Sequence, residues 1–259
     1  MFKEGYMPRI ARKDLGTSFL HLMVQGVNKE YIFYKKEYIE EYLKIFMKNK
    51  EKHNFTIIAY CMMNNHAHFL VYAEDKKELG KAMHKTNFLY AKMFNRKEKR
   101  VGVLFRNRYQ VEPIYDIKHL INCINYIHNN PVKAKIVLKC DDYKYSTYKD
   151  YINNVGVTKS KIMKEIFGEK CNYSEIFSKS YDKRFMDIEE SEEEINKHII
   201  EGIREFTNEY NKNICEILSN KDEFKSMIAF LKEDCGIKYI ELRKYFEMSK
   251  GVMEGLKIK

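Results

Sequence analysis

The chain has 259 residues, 44% hydrophobic and 14% aromatic, enough to bury a core without disulfide or metal staples. No run of about 18 apolar residues occurs, which excludes a helical membrane span. The opening Met-Phe-Lys-Glu-Gly-Tyr lacks the apolar stretch of a secretory signal, and six scattered cysteines with no C-x-x-C pair exclude a zinc ribbon and suit a reducing cytoplasm. The net charge of +10 is unevenly placed: residues 1–150 hold 28 basic and 16 acidic side chains, residues 151–259 hold 19 and 21. A basic part beside a near-neutral one points to a polyanionic partner for the first part, although a lysine-rich composition also serves solubility.

In chain order, residues 18–25 (SFLHLMVQ) read as a buried strand closed by Gly26. Residues 34–52 place Tyr38, Ile39, Tyr42, Leu43, Ile45 and Phe46 at helical spacing. Residues 55–63 form a β-branched strand, Asn64-Asn65 a turn, and residues 66–72 a third strand, so a hairpin is expected. Residues 77–97 form a second amphipathic helix with Leu79, Met83, Phe88, Ala91 and Phe94 inward. Residues 103–105 and 109–114 suggest a short hairpin around Arg106-Asn107-Arg108, and Asp116 caps a helix that runs to about Asn130, where Pro131 should end it. This order predicts an α+β fold, an antiparallel sheet covered by helices. The expected domains are 1–152, and 153–259 as a helical region. The latter opens on a polar link at 153–160, has an acidic start to a helix at 188–194, and carries helix–turn–helix proportions at about 224–258.

Some residues stand out for chemistry. His66 and His68 are two apart in a strand, so both imidazoles lie on one face, where they could share a metal ion or simply decorate the sheet. Tyr126 and Asn130 are four apart and hence neighbours on one helix face. An amide oxygen can complete a site for Mg²⁺ or Mn²⁺, and a tyrosine beside such an ion can attack a phosphodiester. With 20 tyrosines in the chain, any single one is also a candidate core residue. His21 is expected to pack or to support the site from behind, and His128 to lie on the surface. Arg106 and Arg108 flank a turn, and Lys92, Arg96 and Lys97 belong to a charge run; each could contact DNA phosphates or water.

The combination resembles a known family. Tyr60-Cys-Met-Met-Asn-Asn-His66-Ala-His68-Phe-Leu-Val71 is similar to the His-hydrophobic-His signature of single-tyrosine transposases. Asn125-Tyr126-Ile-His-Asn-Asn130-Pro131-Val-Lys-Ala134 is similar to their tyrosine segment. Met7-Pro-Arg9, Val24-Gln-Gly26, Gly102-Val-Leu-Phe105 with Arg106 to Tyr109, and Tyr145-Ser-Thr-Tyr148 extend the likeness over roughly residues 7–152, and the branch it most resembles is the bacterial REP-associated tyrosine transposases. The resemblance implies a ferredoxin-like or RRM-like sheet with helices on one face. It implies cleavage and rejoining of single-stranded DNA, at a hairpin or palindromic repeat, through a 5′-phosphotyrosine link and a free 3′-hydroxyl. Carried onto this sequence, Tyr126 is the nucleophile, and His66, His68 and Asn130 hold Mg²⁺ or Mn²⁺. Asn64, Gln25 and Asn125 depart from the residues usual in relatives, Pro, Arg and Arg. A cytoplasmic, nucleoid-associated protein is expected, monomer or homodimer. Two other functions compete: a non-catalytic DNA-binding regulator on the same fold, and a metal-dependent hydrolytic nuclease, which lacks a visible acidic ligand cluster.

Overall fold

The computed structural model describes residues 15–173, 185, 192–235, 237 and 239–248, side chains of 192–194 excepted. Four antiparallel strands, β1 (Phe19–Gln25), β2 (Thr56–Met62), β3 (His66–Tyr72) and β4 (Gln110–Ile114), lie in the order β2-β3-β1-β4. β1 therefore sits between β3 and β4, with His66 opposite Gln25, His68 opposite Met23, and Glu112 opposite His21. Side chains alternate across a strand, so the sheet has two distinct faces.

One face carries Leu20, Leu22, Val24, Phe69 and Val71, packed under α1 (Lys36–Lys52) and α2 (Lys76–Lys97). These helices form because Tyr38, Ile39, Tyr42 and Phe46 on α1, and Leu79, Ala82, Met83, Tyr90 and Phe94 on α2, recur at three- and four-residue spacing. Asp75 caps α2 by accepting from the Lys77 and Glu78 amides. Phe88, expected inward, falls off that stripe and is 60% exposed.

The opposite face carries His21, His68 and Leu70 and is covered by α3 (Ile117–Lys133), whose Leu120, Cys123, Ile124, Tyr126 and Ile127 pack on it. The expected fold class holds, with one correction: helices cover both faces, not one. The amphipathic pattern of each helix says that it is half-buried, and says nothing of which face of the sheet receives it.

Two local expectations also change. Residues 103–105 do not form a hairpin with β4. β4 pairs with β1, and Phe105 makes an isolated bridge with Gly26. α3 does not stop before Pro131 but runs through it to Lys133. Pro131 lacks only the N–H that would have bonded the Ile127 carbonyl, and so close to the end of α3 the cost stays local. The Asn129 and Asn130 side-chain amides donate to the carbonyls of Asn125 and Tyr126, which secures the turn just ahead of the proline.

Tyr145 to Thr147 runs along the outer edge of β2. Met62 N–H donates to the Tyr145 carbonyl and Thr147 N–H to the Tyr60 carbonyl, and α4 (Tyr148–Asn153) follows. A separate core of helices holds the later part: α6 (Glu192–Glu209), α7 (Ile214–Ser219), α8 (Lys221–Glu233) and α9 (Tyr239–Tyr245), after a short α5 (Lys161–Phe167). Ile199, Phe206, Ile217, Met227, Leu231 and Leu242 meet there, with Tyr31 stacked on His198 at 3.6 Å. α8 matches the helical pattern expected before Gly236, and α9 the first helix of the expected helix–turn–helix. Its last helix (250–258), residues 188–191 of the expected acidic start, and Met7-Pro-Arg9 lie outside the described residues. No helix among the described residues is long and apolar enough to cross a membrane.

Candidate active site

The α3-facing side of the sheet sets a row of polar groups side by side. On β3 stand His66 and His68, on β1 His21 and Gln25, and on β4 Glu112, all on one face by register. His66 and His68 are buried, with ring centroids 4.9 Å apart and planes at 89°. The expected same-face pair is therefore present.

Each ring is held by a neighbour through Nδ1. Asn65 Oδ1 lies 2.5 Å from His66 Nδ1, and an amide oxygen only accepts, so Nδ1 carries the proton and the Nε2 lone pair is kept. His68 Nδ1 lies 2.9 Å from His21 Nε2, and His21 Nδ1 lies 3.2 Å from Glu112 Oε2. The Glu112 carboxylate accepts from His21 Nδ1–H, and His21 Nε2 then accepts from His68 Nδ1–H. The Nε2 atom of His68 is left as a lone pair, buried and without a hydrogen-bond partner. Burial, followed by the charges of His66, His21 and Lys133, holds the His68 pKa well below the usual imidazole value, so the ring is neutral. A neutral imidazole with its second nitrogen fixed is the form that coordinates a metal. His21 thus supports the site from behind, as expected.

α3 brings Tyr126 onto the same spot. Its ring lies edge-on to His68 at 5.5 Å and to His21 at 6.0 Å. Lys133, about two turns further along α3, places Nζ 5.8 Å from the centre of the Tyr126 ring. Phe185 packs against Tyr126 at 5.0 Å and against His21 at 5.9 Å, and Tyr126 is only 2% exposed.

Asn130 is buried, and its Nδ2 donates to the Tyr126 carbonyl at 3.0 Å. That bond turns the nitrogen toward the helix backbone and leaves Oδ1 as the end available for other work. Two imidazole nitrogens and an amide oxygen suit a divalent ion such as Mn²⁺ or Mg²⁺, and the buried, unpaired Nε2 of His68 fits that role. Among the described residues, no three His, Cys, Asp or Glu side chains are grouped so as to hold a metal.

The remaining candidates divide. Arg106 and Arg108 are exposed on the loop that Gly26 and Gln25 tie to the end of β1: Arg106 N–H donates to the Gln25 carbonyl at 2.9 Å, and Val27 N–H to the Leu104 carbonyl at 2.8 Å. They border the histidine site. Lys92, Arg96 and Lys97 are exposed on α2, which packs on the other face of the sheet, and Lys97 pairs with Glu37 at 2.9 Å. His128 is a correction. It is not on the surface but 2% exposed, with Nε2 3.0 Å from Thr147 Oγ1 and ring contacts to Tyr148 and Tyr151, because the chain after β2's outer edge folds over that side of α3.

Glu112, Asn65, Lys133 and Gln25 were not singled out as site residues by the sequence. Asn65 and Lys133 lie within the quoted motifs, so adjacency to His66 and Tyr126 was a usable signal. Glu112 had none, because the pairing of β4 with β1 is non-local.

Residues 17–130 match the family model described as "Transposase IS200 like". A Haemophilus influenzae protein named "Putative REP-associated tyrosine transposase" is 28% identical over 143 residues, covering 51% of this chain and 80% of that protein. A solved structure of a REP-associated tyrosine transposase bound to a REP hairpin aligns with TM-score 0.49 at 16% identity, over 70% of this chain and 100% of the other.

Proposed function

With residues 17–130 matched to IS200-like transposases, we infer that the chain is a transposase that cuts and rejoins single-stranded DNA through Tyr126, dependent on a divalent metal. The observation that carries this reading is the convergence of His66, His68 and Tyr126 from a strand and a helix that the sequence separates by more than forty residues.

In this reading His66 Nε2, His68 Nε2 and Asn130 Oδ1 hold Mn²⁺ or Mg²⁺, which when bound polarises the scissile phosphate and offsets charge at phosphorus. Asn65 and the Glu112–His21 pair keep both rings in the ligating tautomer. The Tyr126 oxygen attacks phosphorus and the bond to the 3′-oxygen breaks. A 5′-phosphotyrosine and a 3′-hydroxyl result; the proton lost by the phenol is matched by the one gained at the 3′-oxygen. Attack by the 3′-hydroxyl of another strand reverses the step and rejoins DNA, with the ester conserving the bond energy. The Lys133 ammonium beside the Tyr126 ring favours the developing phenolate. Arg106 and Arg108 stand at the border of the site, where they can meet flanking phosphates. A hairpin or palindromic repeat is the proposed substrate, as the resemblance of residues 7–152 to the REP-associated tyrosine transposases implies.

The reading as a non-catalytic DNA-binding regulator is favoured by one observation, the burial of Tyr126 beneath Phe185. One experiment separates the two. Labelled hairpin-bearing oligonucleotide incubated with the protein and Mn²⁺ should remain attached on a denaturing gel, and Tyr126→Phe should abolish the attachment. Binding with no adduct would support the regulator, and cutting without attachment would support a hydrolase.

A further inference from the structure

Gln25 is the last residue of β1 and stands directly opposite His66 in the β1–β3 register, on the same face of the sheet. It is 7% exposed, and its Nε2 is buried with no hydrogen-bond partner. A buried amide donor left unpaired destabilises a fold, so such groups are nearly always satisfied. Local backbone geometry gives Gln25 little freedom to withdraw. The next residue, Gly26, packs so closely that a Cβ there would lie 2.3 Å from the Glu30 carbonyl oxygen. The Gly26 N–H is bonded to the Asn65 carbonyl at 2.9 Å, and the Gln25 carbonyl accepts from Arg106 N–H. The backbone of Gln25 is thus pinned beside the imidazole pair, and its side-chain amide has two N–H bonds unspent.

We propose that Gln25 is a substrate-binding residue of this site, donating from Nε2 to a non-bridging oxygen of the phosphodiester bound at His66 and His68. The proposal rests on the reading of the site as one for single-stranded DNA. An N–H donor is repelled by a cation and attracted by an anion, so the atom left unpaired selects phosphate over metal. A neutral amide also adds this bond without placing a fixed charge against the two ligating rings. Gln25 lies between them and the Arg106 loop, which lets one strand touch all three in turn.

The test uses the full-length protein with Mn²⁺ and a fluorescein-labelled, hairpin-bearing single-stranded oligonucleotide as probe, read by anisotropy, with Mn²⁺ affinity measured separately by calorimetry. Gln25→Ala should weaken oligonucleotide binding about tenfold, the worth of one hydrogen bond to a charged acceptor, and leave Mn²⁺ affinity unchanged. Gln25→Glu keeps the volume and replaces the donor with an anion, so it should weaken binding more than alanine does, which lost packing alone would not produce. Unchanged oligonucleotide binding in both variants overturns this inference alone. A loss of Mn²⁺ affinity in Gln25→Ala makes the amide oxygen a ligand and also overturns it. Failure of the wild-type protein to bind the probe overturns both this inference and the single-strand reading beneath it.

Discussion

His21 Nε2 lies 2.9 Å from His68 Nδ1, so a residue on β1 decides which nitrogen of a β3 residue keeps its lone pair. The decision begins one strand further out, where Glu112 accepts a hydrogen bond from His21 Nδ1–H. Three strands thus share one proton arrangement.

Glu112→Gln should therefore weaken Mn²⁺ binding without touching the ion. A neutral amide can donate to His21 Nδ1 and reverse the tautomer along the chain. Loss of a supporting partner of this kind costs roughly tenfold to a hundredfold in metal affinity. Calorimetric titration of the variant checks it, and an unaltered dissociation constant would remove Glu112 from any role in the site.

Asn130→Ala should lower Mn²⁺ affinity and DNA cleavage together, with cleavage restored at high Mn²⁺. Asn130→Gln should retain part of both. The side chain also bonds the Tyr126 carbonyl, so alanine should carry a stability loss of about 1 kcal/mol as well. The metal titration separates the two roles, since a residue that only secures the helix leaves it unmoved.

The two basic groups should differ in their contribution to DNA binding. Arg106→Ala should weaken binding and reduce the slope of log affinity against log salt by about one, the signature of one lost phosphate contact. Lys92→Ala, on the far face of the sheet, should leave the slope unchanged. Equal effects from both, measured on one oligonucleotide across a salt series, would mean that the strand does not follow the histidine face.

Acid should destabilise the fold through His128. Burial pushes its pKa down from 6.5 to about 3. Below about pH 6.5 the unfolded imidazole takes up a proton that the folded one refuses, so stability that is complete above that pH is lost as pH falls toward 3, at about 1.4 kcal/mol per pH unit per proton. His68, depressed by burial first and then by its charged neighbours, adds to the same limb. His128→Gln should flatten the fall by one proton. Urea unfolding at pH 7 and pH 5 measures it, and an identical fall in the variant would show that His128 is not buried neutral.

Most of the site was legible because its signals are local. A two-residue spacing on a strand and a four-residue spacing on a helix fix which side chains share a face, and His66 with His68, and Tyr126 with Asn130, follow from that. The four strands were legible for the same reason, from β-branched runs and the Asn64-Asn65 turn. Their order was not. Placing β1 between β3 and β4 depends on contacts ninety residues apart, and with it goes Glu112 opposite His21. The face that α3 covers was hidden likewise, since an amphipathic stripe reports burial but not partner. His128 was misplaced because its cover, Thr147 to Tyr151, arrives from later in the chain. Pro131 misled by a real preference that the last turn of a helix can override.

The strip from Tyr145 to Thr147 along β2 has a bearing on how the chain can be shortened. A protein cut after residue 130, where the family match ends, would lose that strip and leave a row of open amides and carbonyls on β2. It would also lose the Tyr143 hydroxyl bonded to the Met62 carbonyl and the Tyr151 hydroxyl bonded to the Ile58 carbonyl. An uncovered strand edge of this length is a template for pairing between molecules, and such a fragment should precipitate on expression. A soluble truncation has to extend at least through Tyr151, some twenty residues beyond the end of the family match.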